Sequence, residues 1–406
     1  MTNNNLLLQH HNNISIPPST TIIVVIPCYN EPNLVKSLKS LYDCEPTQTN
    51  VEVITVINSS EADLKEVLEQ NQYSLNEALA WSSNHQRDKI HFSFIEATEL
   101  PKKDAGVGLA RKIGMDKAYN RLASIGNKDG IIVCFDADAT CAKNYLSAIE
   151  SHFNQHPKSV GCSIYYEHPI DGNEFPQQIY DGIIQYELHL RYYKEALHYA
   201  GLPYAFHTVG SSMAVRAAIY HKQGGMNKRK AGEDFYFLQK VIPLGNFTEI
   251  NTTTVFPSPR ISERVPFGTG RAMQQWTNNN DETLFTYNFN SFKELKIFFD
   301  TSELLFSDDE IPLPKSVLAF LKENDFESNL KKIRANATNS KHFKELLFKW
   351  FNAFKTLKFL HFCRDYFHQN QPINEAANVL LKTINLEEQE SMKDLLLKYR
   401  NLQITK

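Results

Sequence analysis

From residue 21 onward, short apolar runs alternate with longer stretches of helical periodicity. TIIVVIPC at 21–28, VEVITVI at 51–57, IHFSFI at 90–95, IIVCF at 131–135 and the run at 160–166 are each only a few residues long and rich in β-branched and aromatic side chains. Several fill both faces at once, as strands buried in a parallel sheet do. Pro27 cannot donate to a sheet ladder, so the first strand is expected to end near it. Helices are predicted between the strands over 34–41, 62–82, 106–122 and 144–152. The first carries apolar residues at 34, 35, 38 and 41, and Asn33 is placed to cap it. Strands alternating with helices in this way predict βαβ units and a mainly parallel sheet.

Beyond residue 170 the pattern changes. A long, Tyr-rich amphipathic stretch at 175–199 predicts a helix. Its aromatic faces suit either a core or a sugar-binding wall. A small-residue turn at 209–212 leads into a short strand, and a brief helix at 217–221 precedes the turn at 224–226. Residues 231–238, AGEDFYFL, place an acidic pair at the start of an apolar-periodic helix. Residues 255–276 read as a loop with Pro257 and Pro259 that carries Arg260, Arg264 and Arg271. From about 280 the composition turns to Lys, Glu, Leu and Phe, with amphipathic helices expected at 292–299, 316–324, 342–367 and 375–381. Three regions are therefore expected: a flexible leader at 1–20, an α/β domain at 21–279 and a helical appendage at 280–406. The 346–367 piece is rich in Phe and carries Lys349, Lys355, Lys358 and Arg364. It fits peripheral contact with a membrane surface, but Phe at helical spacing weighs more toward packing in a core.

Composition narrows the class. The net charge of −3 offers no basic field for nucleic acid. The six cysteines are scattered, with no C-x-x-C pair, so neither a zinc site nor a disulfide framework is expected. Their usage fits a reducing, cytoplasmic setting. The polar 1–19 stretch lacks the apolar core of a signal peptide. No apolar run is long enough for a transmembrane helix.

The chemistry concentrates in two acidic motifs. Asp136 and Asp138 follow the 131–135 strand, where an open α/β sheet presents its ligand-binding residues. Residues two apart on extended chain face one side, so both carboxylates can address one Mg²⁺ or Mn²⁺ ion held together with substrate phosphates. The bland alternative is a pair of solvated or capping Asp residues. Glu233 and Asp234 favour the positive end of a helix, or supply a general base. Gly106-Val107-Gly108 before a helix is a permissive anion site, with Arg111 in the following turns. The three Arg of the 255–276 stretch can clamp phosphate in a bidentate way, or make surface ion pairs of little consequence.

Taken in order, Pro27-Cys28-Tyr29-Asn30-Glu31, Ala110-Arg111, Asp136-x-Asp138, Gly210-Ser211-Ser212 and Gly232-Glu233-Asp234 resemble the family 2 inverting glycosyltransferases. The resemblance covers about residues 21 to 275. It implies an α/β fold of the GT-A type, with a mixed, mainly parallel sheet flanked by helices. It also implies transfer of a sugar from a nucleotide-diphosphate donor to an acceptor hydroxyl, assisted by a divalent cation, Mn²⁺ or Mg²⁺. In that reading Pro27, Tyr29 and Glu31 line the nucleoside end of the donor pocket, and Arg111 lies near the donor base or diphosphate. Asp136 helps hold the donor's ribose or sugar and joins Asp138 at the metal. Gly210 and Ser211 floor the sugar and acceptor pocket, and Arg264 or Arg271 closes over the diphosphate. Asp234, with Glu233 beside it, is the catalytic base. Where the family's second strand usually ends in Asp, this chain has Asn58, which puts uracil preference in question while leaving nucleotide binding open. The processive Gln-x-x-Arg-Trp pattern is missing, since 271–276 reads RAMQQW. The acceptor class stays open among saccharides, lipid-linked intermediates, metabolites and proteins. Two alternatives also stay open: a catalytically inactive nucleotide- or carbohydrate-binding scaffold, and a sugar-phosphate nucleotidyltransferase. The latter is disfavoured because the first turn is acidic and lacks Gly.

Overall fold

The computed structural model describes residues 6–262, 264, 268–279, 283–307 and 311–405. Residues 1–5 of the expected leader, and the first residues of the expected appendage at 280–282, lie outside the described residues. The chain forms two compact units. One comprises residues 1–180 and 208–275, the other residues 181–207 and 276–406.

The first unit is built on a nine-stranded sheet. In chain order it contains β1 (Leu7–His11), β2 (Thr20–Cys28), α1 (Leu34–Tyr42), β3 (Asn50–Ser60), α2 (Lys65–Asn84), β4 (Ile90–Leu100), α3 (Val107–Ser124), β5 (Ile131–Cys134), β6 (Thr140–Cys141), α4 (Tyr145–Gln155) and β7 (Gly161–Tyr166). There follow α5 (Gln177–Ala200), which runs into the second unit, then β8 (Met213–Arg216), α6 (Ala217–Lys222), α7 (Glu233–Val241), β9 (Phe247–Phe256) and α8 (Thr269–Asn279), whose residues 276–279 also fall in the second unit. The strand order is β1-β4-β3-β2-β5-β8-β7-β9-β6. β4, β3, β2 and β5 run parallel, and β7 and β9 share their direction, while β1, β8 and β6 oppose it. The sheet is thus mixed and mainly parallel, as expected. The run Ile22–Ile26 in β2 is fully buried, because neighbouring strands flank it and helix α3 packs on it. Burying each such side chain contributes about 1.5–3 kcal/mol relative to exposure.

Several readings of the first unit need correction. Residues 7–11 of the expected leader form an edge strand, with Leu7 opposite Thr98 and His11 opposite Phe94. The short polar segment had no sequence signal of its own, but β4 supplies its hydrogen-bonding partner. The 255–276 stretch is not wholly loop: α8 begins at Thr269, with Met273 and Trp276 buried one turn apart. β9 (FTEINTTTVF) was not anticipated, since its Thr-rich alternation is weakly apolar. Residues 181–207 group by contacts with the C-terminal helices rather than with the sheet.

The second unit adds α9 (Phe289–Asp300), α10 (Lys315–Glu323), α11 (Phe326–Asn336), α12 (Ser340–Trp350), α13 (Ala353–Tyr366), α14 (Ile373–Thr383) and α15 (Met392–Ile404). The expected single helix at 342–367 is two. Asn352 interrupts it, its side chain accepting from the amides of Phe354 (3.1 Å) and Lys355 (3.2 Å) and so starting α13. Phe348, Phe351 and Phe359 are buried, and Phe351 packs against Phe298 and Phe320. These aromatic side chains therefore form a core within the unit. No helix among the described residues is long and apolar enough to cross a membrane.

Candidate active site

The two acidic motifs are brought together at the carboxyl end of β5. After β5 the chain turns through Asp136 and Asp138 before β6. Ser37 of α1 holds this turn, its hydroxyl donating to the carbonyls of Ala137 (2.8 Å) and Ala139 (2.5 Å). Glu233 and Asp234 occupy the first turn of α7, where the helix dipole favours negative charge. Arg111, on α3, links the motifs. Its guanidinium donates to Asp136 Oδ1 (2.6 Å) and to Glu233 Oε1. Arg111 and Glu233 are buried, whereas the side chain of Asp136 keeps 37% of its surface accessible.

Gly210 completes the cluster. A Cβ there would lie 2.6 Å from Arg111 Nη1 and 3.0 Å from Asp234 Oδ2, so only glycine lets the backbone pass this close. Ser211 is buried beside Ser212, their hydroxyls 3.4 Å apart. The half-buried Asp234 carboxylate accepts from the amide of Phe235 (2.7 Å); among the described residues this is its single hydrogen bond.

The electrostatics follow from this crowding. Burial pushes the carboxyls of Asp136, Glu233 and Asp234 above their ordinary values, and Arg111 opposes the rise in each case. For Asp136 and Asp234, which keep contact with solvent, water moderates the effect. Burial works against the charge on Arg111, but Glu233 and Asp136 outweigh it and hold its pKa above the ordinary value.

A second cluster forms around Glu31, in the turn after β2. Glu31 is buried. Its Oε1 accepts from the amide of Asn33 (3.0 Å), and its Oε2 accepts from Arg260 and from Arg264 Nη1 (3.2 Å). Arg264 also donates to the carbonyl of Asn30. Arg260 Nε reaches Asp138 Oδ2 at 2.7 Å, so this one guanidinium bridges the first turn and the Asp136/Asp138 turn. Arg260 is the site residue that the sequence motifs left unassigned among three nearby arginines. Arg271 is not in this cluster; on α8 it donates to Gln274 within its own helix.

Pro27 lies in β2 opposite Val56. The Tyr29 hydroxyl donates to Asp63 (3.0 Å), which also accepts the amide of Ser60 at the end of β3. Asn58 is buried on β3; its carbonyl accepts from Asn71 (2.9 Å), but its side-chain Oδ1 has no hydrogen-bond partner among the described residues. The Gly106/Gly108 turn does not form an open anion cradle. The backbone carbonyl of Arg229 lies 2.1 Å from where a Gly108 Cβ would stand.

The fit to a divalent cation can be read from the carboxylates. Asp136 gives Oδ1 to Arg111 and Asp138 gives Oδ2 to Arg260, leaving Asp136 Oδ2 and Asp138 Oδ1 without protein partners among the described residues. Two hard oxygens from one turn suit Mg²⁺ or Mn²⁺ when substrate phosphate and water supply the other ligands. Among the described residues there is no group of three or more His, Cys, Asp or Glu placed to hold a metal by protein alone.

Residues 23–223 match the model of the family described as Glycosyl transferase family 2. Comparison with the curated proteins finds no match. Among solved structures the chain is similar to residues 1–349 of S. aureus TarS in complex with UDP-GlcNAc, at 14% identity and a TM-score of 0.38, covering 95% of this chain and 88% of that one. TarS 1–349 in complex with UDP gives 13% identity, the same TM-score and the same coverage.

Proposed function

We propose that this glycosyltransferase, whose residues 23–223 match the Glycosyl transferase family 2 model, transfers a sugar from a nucleotide-diphosphate donor to an acceptor hydroxyl by inverting displacement, with Asp234 as the base. The observation that carries this reading is the Arg111 bridge, which joins Asp136 of the donor turn to the Glu233-Asp234 start of α7.

An acceptor hydroxyl attacks poorly until a carboxylate takes its proton in the transition state. Asp234 is suited to take it, being reachable, carrying one hydrogen bond, and sitting in surroundings that raise its basicity. Glu233 is buried against Arg111 and acts as a positioning residue. As the acceptor oxygen bonds to the anomeric carbon, the bond from that carbon to the diphosphate oxygen breaks on the opposite face, and the acceptor proton passes to Asp234. Negative charge then collects on the departing nucleoside diphosphate. Arg260 stands at Asp138 to stabilise it, supported by Glu31 and flanked by Arg264. Asp138 and Asp136 would hold a divalent cation, which would supply further positive charge at the diphosphate. Asn58, whose buried Oδ1 has no hydrogen-bond partner among the described residues, is assigned with Tyr29 to recognition of the donor base. The acceptor is a saccharide, lipid-linked intermediate, metabolite or protein, and the setting is cytoplasmic.

The test is turnover of a panel of nucleotide-diphospho-sugars, followed as release of the nucleoside diphosphate. The proposal expects one preferred donor, loss of release on chelating divalent metal, and an inverted anomer in the product. A retained anomeric configuration would overturn the single-displacement mechanism.

A further inference from the structure

Cys44 and Cys141 are 97 residues apart in the chain, yet their sulfurs are 3.7 Å from each other. Cys44 follows α1, and Cys141 is the last residue of β6, three positions after Asp138. The two thiols differ in setting. Cys44 is buried, but it lines a small crevice together with Leu41, Thr47, Arg87 and Lys89. Arg87 donates to the carbonyl of Cys44 at 2.6 Å, which puts a guanidinium against the residue. Cys141 is half-buried and also lies 3.7 Å from the hydroxyl of Ser40. The hydrogen bond with Cys141, with smaller help from the backbone of Leu146 and Tyr145 and least from Arg87, lowers the Cys44 thiol against the effect of burial, whereas the same contact and burial raise Cys141. Two thiols held this close, one of them lining a crevice, are the arrangement of a redox-sensitive pair.

We propose that Cys44 and Cys141 form a reversible disulfide when a peroxide reaches the Cys44 crevice, and that this bond resets the turn carrying Asp136 and Asp138. Peroxide oxidises Cys44 to a sulfenic acid and leaves as water. The Cys141 sulfur attacks the sulfenic sulfur, the S–O bond breaks, and a second water departs. The two thiols lose two electrons and two protons, which the peroxide takes up as it becomes two waters. The sulfurs must close by about 1.7 Å to reach bonding distance. That movement bears directly on the donor turn. Cys141 is paired with Val255 in the β6–β9 ladder, and α1 already grips the turn through Ser37. The effect on donor binding rests on the glycosyltransferase reading, but formation of the disulfide does not.

The experiment treats the full-length protein with hydrogen peroxide, alkylates remaining thiols with N-ethylmaleimide, and maps tryptic peptides by mass spectrometry. The expected result is a Cys44–Cys141 linked peptide that dithiothreitol reverses. In Cys141→Ser the link is lost and a dimedone adduct appears on Cys44; in Cys44→Ser neither link nor adduct on Cys141 appears. Both thiols still alkylated under peroxide that fully oxidises free glutathione, or Cys141 oxidised alone, would overturn the pair. Thermal melting verifies that both Ser variants are folded. Nucleoside diphosphate affinity is then compared between reduced and oxidised protein, with a change of about 5-fold or more expected. A linked peptide with unchanged affinity overturns the resetting of the turn. Reduced protein that binds no nucleotide counts instead against the donor-site reading, and the peptide map still judges the pair.

Discussion

Arg111 and Glu233, 122 residues apart in the chain, form an ion pair in which each side chain is almost wholly shielded, with 2% and 3% of its surface accessible. Such a pair does more for geometry than for stability, because desolvation offsets much of the attraction. Its consequence is positional: the start of α7 is tied to α3, and through Asp136 to the end of β5. Breaking it strands a buried charge. Arg111→Met should lower unfolding stability by about 3–5 kcal/mol, read from urea denaturation. Arg111→Lys should keep a charge but lose the fork that reaches both carboxylates, leaving a folded protein with depressed turnover.

Asp234→Asn should keep nucleoside diphosphate binding and lose transfer on the order of 10²–10⁴-fold. Calorimetric binding and product formation measured on the same preparation separate the two. Unchanged turnover would remove Asp234 as base.

The pH profile should follow the crowding around Asp234. The base must be ionised to accept a proton, and burial raises its pKa, an effect only partly opposed by Arg111. The acid limb of kcat/KM should therefore fall above the ordinary aspartate value of 3.8, with activity rising as pH increases through it. An acid limb at or below that value would contradict the assignment.

Gly210→Ala tests the packing behind the base. The new methyl carbon would stand 2.6 Å from Arg111 Nη1 and 3.0 Å from Asp234 Oδ2. Displacing either group should lower kcat by roughly 10²-fold, as small misplacements of reacting groups do, with overpacking costing about 1–3 kcal/mol of stability. Steady-state kinetics and thermal melting measure the two effects separately.

Arg260→Gln should leave the fold intact, since Arg260 keeps 24% of its side-chain surface accessible. It should lower kcat by about 10²-fold through loss of one charge at the leaving group, with the metal requirement retained. Loss of the metal requirement instead would mean that Arg260 is needed to shape the cation site.

Much of this architecture was legible from patterning. The apolar runs of β2, β3 and β5 fill both faces, and only a buried strand in a covered sheet accommodates that. Asp136, Asp138, Glu233 and Asp234 stood out as candidates because each motif sits where a strand ends or a helix begins and because the motifs follow one another in the family's order. What patterning did not reveal depends on partners distant in sequence. β1 exists because β4 offers an edge. β9 is held by β7 and β6 on either side despite its polar residues. Arg260 and Arg271 looked equivalent as loop cations, but β9 delivers Arg260 to Asp138 while α8 turns Arg271 onto Gln274. Cys44 and Cys141 showed no motif spacing, and only the folding of α1 against β6 places them side by side.

The most direct test of the central claim is titration calorimetry of nucleoside diphosphates with and without Mn²⁺ or Mg²⁺, on the wild-type protein and on Asp138→Asn. The account predicts that one nucleoside diphosphate binds in a metal-dependent way, and that the metal dependence disappears in the variant. Metal-dependent binding that survives Asp138→Asn unchanged, or no nucleotide binding at all, would contradict it.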